Sequence, residues 1–273
     1  MWVAVGAAGA WVAYQCGHFL LAAPEMTLVH PDQISVAGNR YVSPARVREV
    51  FAADRNRSVL LIPLDARRQA LEAIPWVEQA SVRRALPNKI QVDITERTPI
   101  AFLREGSDLA LIDEHGVILD RPVEGAFHFP VLTGLGSDMA LDDREKRMQL
   151  FAGFMQSIEL ARSGASEQVS EVDLAEVHDV RATLTGFGSA AAAGGSAAPL
   201  VVHFGEDDFQ GKYQTLVEGI AEWRATAGTI ESVDLRYSRE AVVNQERTAP
   251  PRRRPPGRAA VHGAKHSRSI VKP

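Results

Sequence analysis

The residues able to perform acid–base, nucleophilic or metal chemistry are scattered along this chain. The single cysteine, Cys16, excludes an internal disulfide and any metal site built from several cysteines. None of the eight histidines lies in an H-x-H or H-E-x-x-H spacing, and the chain has neither a G-x-S-x-G turn nor a P-loop. The neighbouring pairs Glu114-His115 and His178-Asp179 are typical of solvated polar loops. We therefore predict a protein that is not an enzyme and that needs no metal or cofactor.

The first 24 residues are the most apolar part of the chain. No residue from Met1 to Pro24 is charged, and roughly 20 apolar helical residues are enough to cross a hydrocarbon core of about 30 Å. A cleaved signal peptide is the alternative, but the apolar run is longer than usual and Leu21-Ala22-Ala23 does not resemble a cleavage site. A helix packed against a globular core is the second alternative, but such a helix is usually apolar on one stripe, whereas this segment is apolar all round. We predict a transmembrane helix over residues 1–24.

Residues 28–97 predict a small domain in which two helices cover a three-stranded sheet, in the order β-α-α-β-β. Alternating apolar residues indicate an edge strand over Val29–Ala37, and a hairpin turns at Leu86–Lys89. Ser43 is a favourable N-cap for the first helix, and Asp65 for the second.

Residues 98–245 predict a mixed β-sheet domain with two flanking helices, which makes the whole chain α+β. Short alternating apolar runs indicate the strands, and Gly188–Ala198 is a low-complexity segment that we interpret as a long hairpin loop. Asp142 and Asp208 are the predicted N-caps of the two helices. The last strands fall between Ile230 and Val243.

The end of the chain, residues 246–273, is rich in proline and arginine. Eight basic residues and no acidic residue follow Glu246, and without those eight the formal net charge of −4 becomes −12. So few apolar residues cannot form a core, so we predict a disordered basic tail. It is either simply solvated or attracted to an anionic polymer or lipid surface.

Three motifs of the first domain resemble a known family. They are I-x-V-x-G-N-x-x-V-S at Ile34–Ser43, I-P-W-V at Ile74–Val77 and L-P-N-K-I-x-V-x-I-x-E-R-x-P at Leu86–Pro99. In this order they resemble the POTRA domain of the FtsQ/DivIB cell-division proteins. L-I-D-E-H-G-V-I at Leu111–Ile118 and V-D-L-R-Y at Val233–Tyr237 resemble the β domain of the same family.

The resemblance implies a non-enzymatic scaffold of the bacterial divisome, with a single pass through the inner membrane and most of the chain in the periplasm at the septum. Its partners would be FtsB-like and FtsL-like proteins, with other division proteins at the POTRA domain and no nucleic acid. Capture would occur by β-strand addition at the C-terminal edge strand, because an edge strand exposes unpaired N–H and C=O groups. Carried over by position, the partner-binding residues are Leu235, Arg236, Tyr237, Ser238, Ala241, Val242 and Val243.

Two alternatives stand beside this hypothesis. Tyr237 could be a core residue at the end of the domain instead of a contact residue. The protein could also be a POTRA-containing periplasmic transport or assembly component, in which the POTRA sheet receives passenger strands.

Overall fold

The N-terminal segment is described only in part. The computed structural model describes residues 6, 9–12, 14–15, 24–122, 125–187, 198–237 and 241–244. The described residues before Pro24 are helical, but most of the predicted anchor lies outside the described residues. Within the described part of the chain, no helix has both the length and the apolar character needed to cross a bilayer. The predicted basic tail over residues 246–273 also lies outside the described residues.

The first domain has the predicted order β-α-α-β-β. Its elements are β1 (Ile34–Ala37), α1 (Pro44–Glu49), α2 (Leu64–Glu72), β2 (Val77–Ala85) and β3 (Lys89–Glu96). The strand order is β1-β3-β2, with β1 parallel and β2 antiparallel to β3. Ile90, Val92 and Ile94 alternate along β3 and are buried, as the pattern predicts.

Local sequence signals explain most of the boundaries in this domain. The hydroxyl of Ser43 accepts a hydrogen bond from the backbone N–H of Arg46 at 3.2 Å, which confirms the predicted cap. The predicted cap at Asp65 is wrong, because α2 begins at Leu64 and Asp65 lies inside the first turn. The edge strand is also shorter than predicted, since Pro31–Gln33 forms a 3₁₀ turn before β1.

The second domain is built on a nine-stranded mixed sheet. Its strands follow the order β12-β11-β10-β9-β8-β7-β4-β5-β6 across the sheet. Along the chain they are β4 (Pro99–Glu105), β5 (Asp108–Asp113), β6 (Ile118–Leu119), β7 (Val131–Thr133), β8 (Val169–Asp173), β9 (Val180–Leu184), β10 (Leu200–Gly205), β11 (Ser232–Asp234) and β12 (Val242–Asn244). Strands β9 and β10 pair antiparallel across the low-complexity segment, as expected for a long hairpin loop.

Two long helices, α3 (Leu141–Ala161) and α4 (Phe209–Ala227), bury their apolar residues in the core of this sheet. The ring of Phe154 lies 5.1 Å from that of Phe204 and 5.4 Å from that of Phe209, so helix and sheet meet through aromatic contacts. Asp208 caps α4 by accepting from the N–H of Gly211 at 3.2 Å, as predicted. The predicted cap at Asp142 is wrong, because α3 begins at Leu141 after Ala140 and has no side-chain cap.

The two domains are joined by polar contacts as well as by the chain. Trp76 Nε1 donates a hydrogen bond of 3.0 Å to the carbonyl oxygen of Asp120. Arg97 and Asp113 form an ion pair of 2.9 Å in which 18% and 3% of the two side chains remain exposed. Leu111, from the second domain, is buried in the core of the first. These contacts fix how the first sheet is oriented on the second.

Candidate partner-binding edge

Strand β12 forms one open edge of the nine-stranded sheet. Among the described residues it pairs antiparallel with β11 alone, with Val243 opposite Val233 and Val242 opposite Asp234. The opposite edge of the sheet is the two-residue strand β6. A short edge strand with one free side is the geometry that strand addition requires.

The hydrogen bonds of β11 determine which backbone groups of β12 face outward. Leu235 donates its N–H to the carbonyl of His203 at 2.9 Å, and Glu231 accepts from the N–H of Val201 at 3.0 Å. Alternate residues of a strand bond to opposite sides. Every second residue from Glu231 to Leu235 therefore bonds toward β10, and the two residues that alternate with them, Ser232 and Asp234, bond toward β12.

On β12, the residues paired with Ser232 and Asp234 are Asn244 and Val242, so their backbone groups point inward to β11. Val243 lies between them and forms the pair that makes no hydrogen bonds to β11. Its N–H and C=O therefore point away from the sheet, toward the position of an added strand.

The side chains that follow β11 divide between core and surface. Val233 is fully buried and Leu235 is 3% exposed, whereas Tyr237 is 60% exposed. The alternation predicted for these three residues stops at Leu235, because strand pairing ends at Asp234. The interpretation of Tyr237 as a core residue is therefore wrong. The prediction of Leu235 as a partner-binding residue is also wrong, because its side chain is buried in the core and is not available to a partner.

The remaining predicted contact residues lie along or beside the edge. Ala241 and Val243 are partly buried and pack against the main core, while Val242 on the other face is 37% exposed. The strand begins one residue later than the predicted Ala241–Val243 segment. Ser238 lies outside the described residues.

Arg236 is held by carboxylates of its own domain. Its guanidinium donates to both carboxylate oxygens of Asp234, at 2.6 Å for the shortest contact, and lies 3.6 Å from Asp179. The hydrogen bond from Arg236 lowers the pKa of Asp234, and the same hydrogen bond raises the pKa of Arg236. Arg236 therefore fixes the turn after β11, with part of its side chain left exposed beside Tyr237.

Asp179 belongs to the group of charged residues around Arg236, which the sequence did not indicate. It is 7% exposed and accepts a hydrogen bond from His203 Nδ1 at 2.7 Å, so the interpretation of His178-Asp179 as a solvated pair is wrong for Asp179. His178 is exposed and pairs with Glu206, and that hydrogen bond raises the pKa of His178. The sequence signal that could have indicated the burial of Asp179 was its position directly before β9. In the described part of the chain, no group of His, Cys, Asp or Glu is arranged to hold a metal ion.

A groove runs beside the edge, between α4 and the turn after β11. It combines aromatic, basic and acidic side chains, and its lining includes Asp207, Lys212, Trp223, Arg236, Tyr237 and Ala241. Such a mixture suits side chains of an extended peptide better than it suits a small apolar ligand.

Comparisons with known families agree with this architecture. The family described as "POTRA domain, FtsQ-type" matches residues 29–97. The family described as "Cell division protein FtsQ/DivIB, C-terminal" matches residues 101–236. The chain belongs to the FtsQ/DivIB family of cell-division proteins.

Three relatives named Cell division protein FtsQ show how far the similarity extends. The protein of Koribacter versatilis is 34% identical over 217 residues, which cover 79% of this chain and 60% of that protein. The protein of Novosphingobium aromaticivorans is 31% identical over 48% of this chain and 43% of its own length. The protein of Bordetella pertussis is 36% identical over 35% of this chain and 33% of its own. The chain thus spans about six tenths or less of these relatives.

Charged residues of the first-domain motifs and of the Leu111–Ile118 motif form hydrogen bonds within the first domain and across the domain junction. Glu96 accepts hydrogen bonds from the backbone N–H groups of Arg40, Tyr41 and Val42 at 2.7 to 3.0 Å. Asp113 accepts from the N–H groups of His115 and Val117 at 3.1 and 2.7 Å, in addition to Arg97. These residues of the first-domain motifs and of the Leu111–Ile118 motif therefore maintain the fold and the domain orientation, whereas the Val233–Tyr237 motif lies beside the candidate edge.

Proposed function

We propose that this member of the FtsQ/DivIB family is a non-enzymatic, membrane-anchored scaffold of the division machinery that captures a partner by β-strand addition at β12. The observation that carries the proposal is the open edge, at which the N–H and C=O of Val243 point away from the sheet. An incoming strand can form main-chain hydrogen bonds there.

The partner is an FtsB-like protein together with its FtsL-like companion, as the family resemblance implies. The anchor at residues 1–24 holds the chain in the inner membrane, with both domains in the periplasm at the septum. The first domain offers a second surface to other division proteins. Membership of a cell-division family favours this function over transport or assembly.

Side chains around the edge supply specificity. Tyr237 presents a large exposed ring next to the turn, and Val242 presents an exposed apolar side chain on one face of β12. Aromatic residues that pack at the centre of an interface contribute a large share of binding energy. Arg236 acts mainly by holding the turn in place through Asp234.

Co-purification of the detergent-solubilised full chain with its FtsB-like partner tests the site. We expect Tyr237→Ala to weaken capture by about 2 kcal/mol, or roughly thirtyfold, because an exposed anchor ring is lost. Leu160→Ala is the matched control, since Leu160 is an exposed apolar residue on α3. Unchanged capture by a correctly folded Tyr237→Ala variant would remove this residue from the site.

Depletion of the protein in cells tests the function itself. Filamentous cells that fail to divide are expected if the chain supports septum formation. Normal septation combined with a defect in outer-membrane assembly would instead favour the transport and assembly alternative.

A further inference from the structure

A groove with an apolar floor and a basic rim opens on the first domain. It lies between the residues that precede β1 and helix α1, and its floor is formed by Leu28, Ile34 and Phe51, which are 4% exposed or less. The basic side chains that line it are His30, Arg46, Arg48 and Arg55. An apolar floor beneath several cations is suited to an anionic amphiphile, which has both kinds of surface.

The positive charges of this groove are only partly neutralised by the protein. Glu49 is the one carboxylate among its described lining residues, and it pairs with Arg46 at 3.1 Å. Within the described ranges, Arg48 and Arg55 take part in no ion pair. The groove therefore carries a net positive charge that is open to an external anion.

This positive groove lies on the more basic of the two domains. Residues 28–97 contain eleven basic and eight acidic residues, whereas residues 98–245 contain eleven basic and twenty-four acidic residues. A negatively charged surface would therefore attract the first domain and repel the second.

The position of the groove in the chain limits its distance from the membrane. The anchor proposed above ends at Pro24, and Leu28 is already part of the groove floor. Four residues span at most about 14 Å when fully extended. If residues 1–24 cross the bilayer, the groove lies within this distance of the lipid headgroups.

We propose that this groove binds the headgroup of an anionic phospholipid in the membrane that carries the anchor. The proposal rests on the anchored topology given under the proposed function. Arginine guanidinium groups match phosphate oxygens with paired hydrogen bonds, and the floor receives the glycerol and upper acyl carbons. Bound in this way, the first domain is oriented on the bilayer, and the Arg97–Asp113 junction passes that orientation to the second domain.

Energy transfer from the groove to the lipid surface tests the proposal. The full chain, carrying Cys16→Ser and a donor fluorophore at Ala45→Cys, is reconstituted in vesicles that contain a headgroup-labelled acceptor lipid. Ala45 lines the groove and is exposed, so the label does not disturb the core. The vesicles are made of phosphatidylcholine with or without phosphatidylglycerol. We expect greater transfer when phosphatidylglycerol is present, and we expect high salt to abolish the difference.

Charge variants assign that difference to the groove. Arg46→Gln combined with Arg55→Gln is expected to lose all of the transfer that depends on phosphatidylglycerol. The matched control, Arg83→Gln with Lys89→Gln, removes two exposed charges from the β2–β3 hairpin and is expected to retain it.

Two results would overturn the proposal, and they are distinguishable. Equal transfer in both lipids from a chain that stays in the membrane would rule out headgroup binding by the groove and leave the anchored scaffold intact. Release of the wild-type chain from vesicles by alkaline carbonate would overturn the anchor, and lipid binding with it.

Discussion

Replacing Val243 with proline tests strand addition with little disturbance of the domain. Proline lacks a backbone N–H and tolerates edge strands when the missing group faces outward. The N–H of Val243 points away from β11, so the substitution removes no hydrogen bond within the sheet. It does remove the donor that an added strand would use.

The expected loss of affinity follows from that single donor. A partner carbonyl that is buried at the edge without its hydrogen bond costs about 1–3 kcal/mol. Each 1.4 kcal/mol corresponds to a tenfold change in the dissociation constant, so we expect binding that is roughly 5- to 150-fold weaker. The melting temperature of the unbound protein should change little, because proline retains apolar contact with the core.

Titration of the purified variant with the FtsB-like partner gives the affinity, and thermal unfolding gives the stability. Val242→Pro is the control, because the N–H of Val242 faces Asp234 and its loss disrupts the pairing of β11 with β12. It should lower both stability and binding. Wild-type affinity of a folded Val243→Pro variant would refute strand addition at this edge.

Three further predictions concern residues whose roles the structure separates. Leu235→Ala should lower the free energy of unfolding by about 2–5 kcal/mol in denaturant titrations, because Leu235 is a core residue. Unchanged stability would contradict the assignment of Leu235 to the core. Asp113→Ala should cost about 3–5 kcal/mol, because it leaves Arg97 largely buried without its counter-ion; a loss below 1 kcal/mol would show a junction that does not depend on this pair. Because Arg236 lowers the pKa of Asp234, ionised Asp234 stabilises the fold above the usual aspartate range, and this stabilisation is lost as pH falls below about 4. The difference in melting temperature between wild type and Asp234→Asn should therefore be present at neutral pH and disappear in acid, and a difference that is independent of pH would contradict it.

Much of the fold could be predicted from local pattern, because that pattern reflects short-range physics. The alternation of Ile90, Val92 and Ile94 predicts a strand with one buried face, and the structure has it. Ser43 and Asp208 predict helix starts correctly, since a side-chain oxygen there reaches the free N–H groups of the first turn. The same type of residue fails to predict the cap at Asp65 and Asp142, because each of these helices begins two residues earlier than a cap at the aspartate would place it.

The candidate edge could be located from the sequence only approximately. The motif at Val233–Tyr237 pointed to the end of the second domain where the candidate edge strand lies. It could not show that Leu235 faces the core while Tyr237 is exposed, because alternation holds only as far as strand pairing continues. Nor could it show that Asp179 is buried beside Arg236, a contact between residues 57 positions apart in the chain.

By itself, the sequence determined the family, the two α+β units and the apolar N-terminal segment, because these depend on residue type and spacing along the chain. Only the tertiary structure decided which strand is the free edge and which backbone groups face outward, because these depend on strand order and register. It also showed that Arg97 and Asp113 pair across the domain junction, while Glu96 binds backbone N–H groups within the first domain. Contacts between residues far apart in the chain depend on how the folded elements lie together, and no local pattern encodes them.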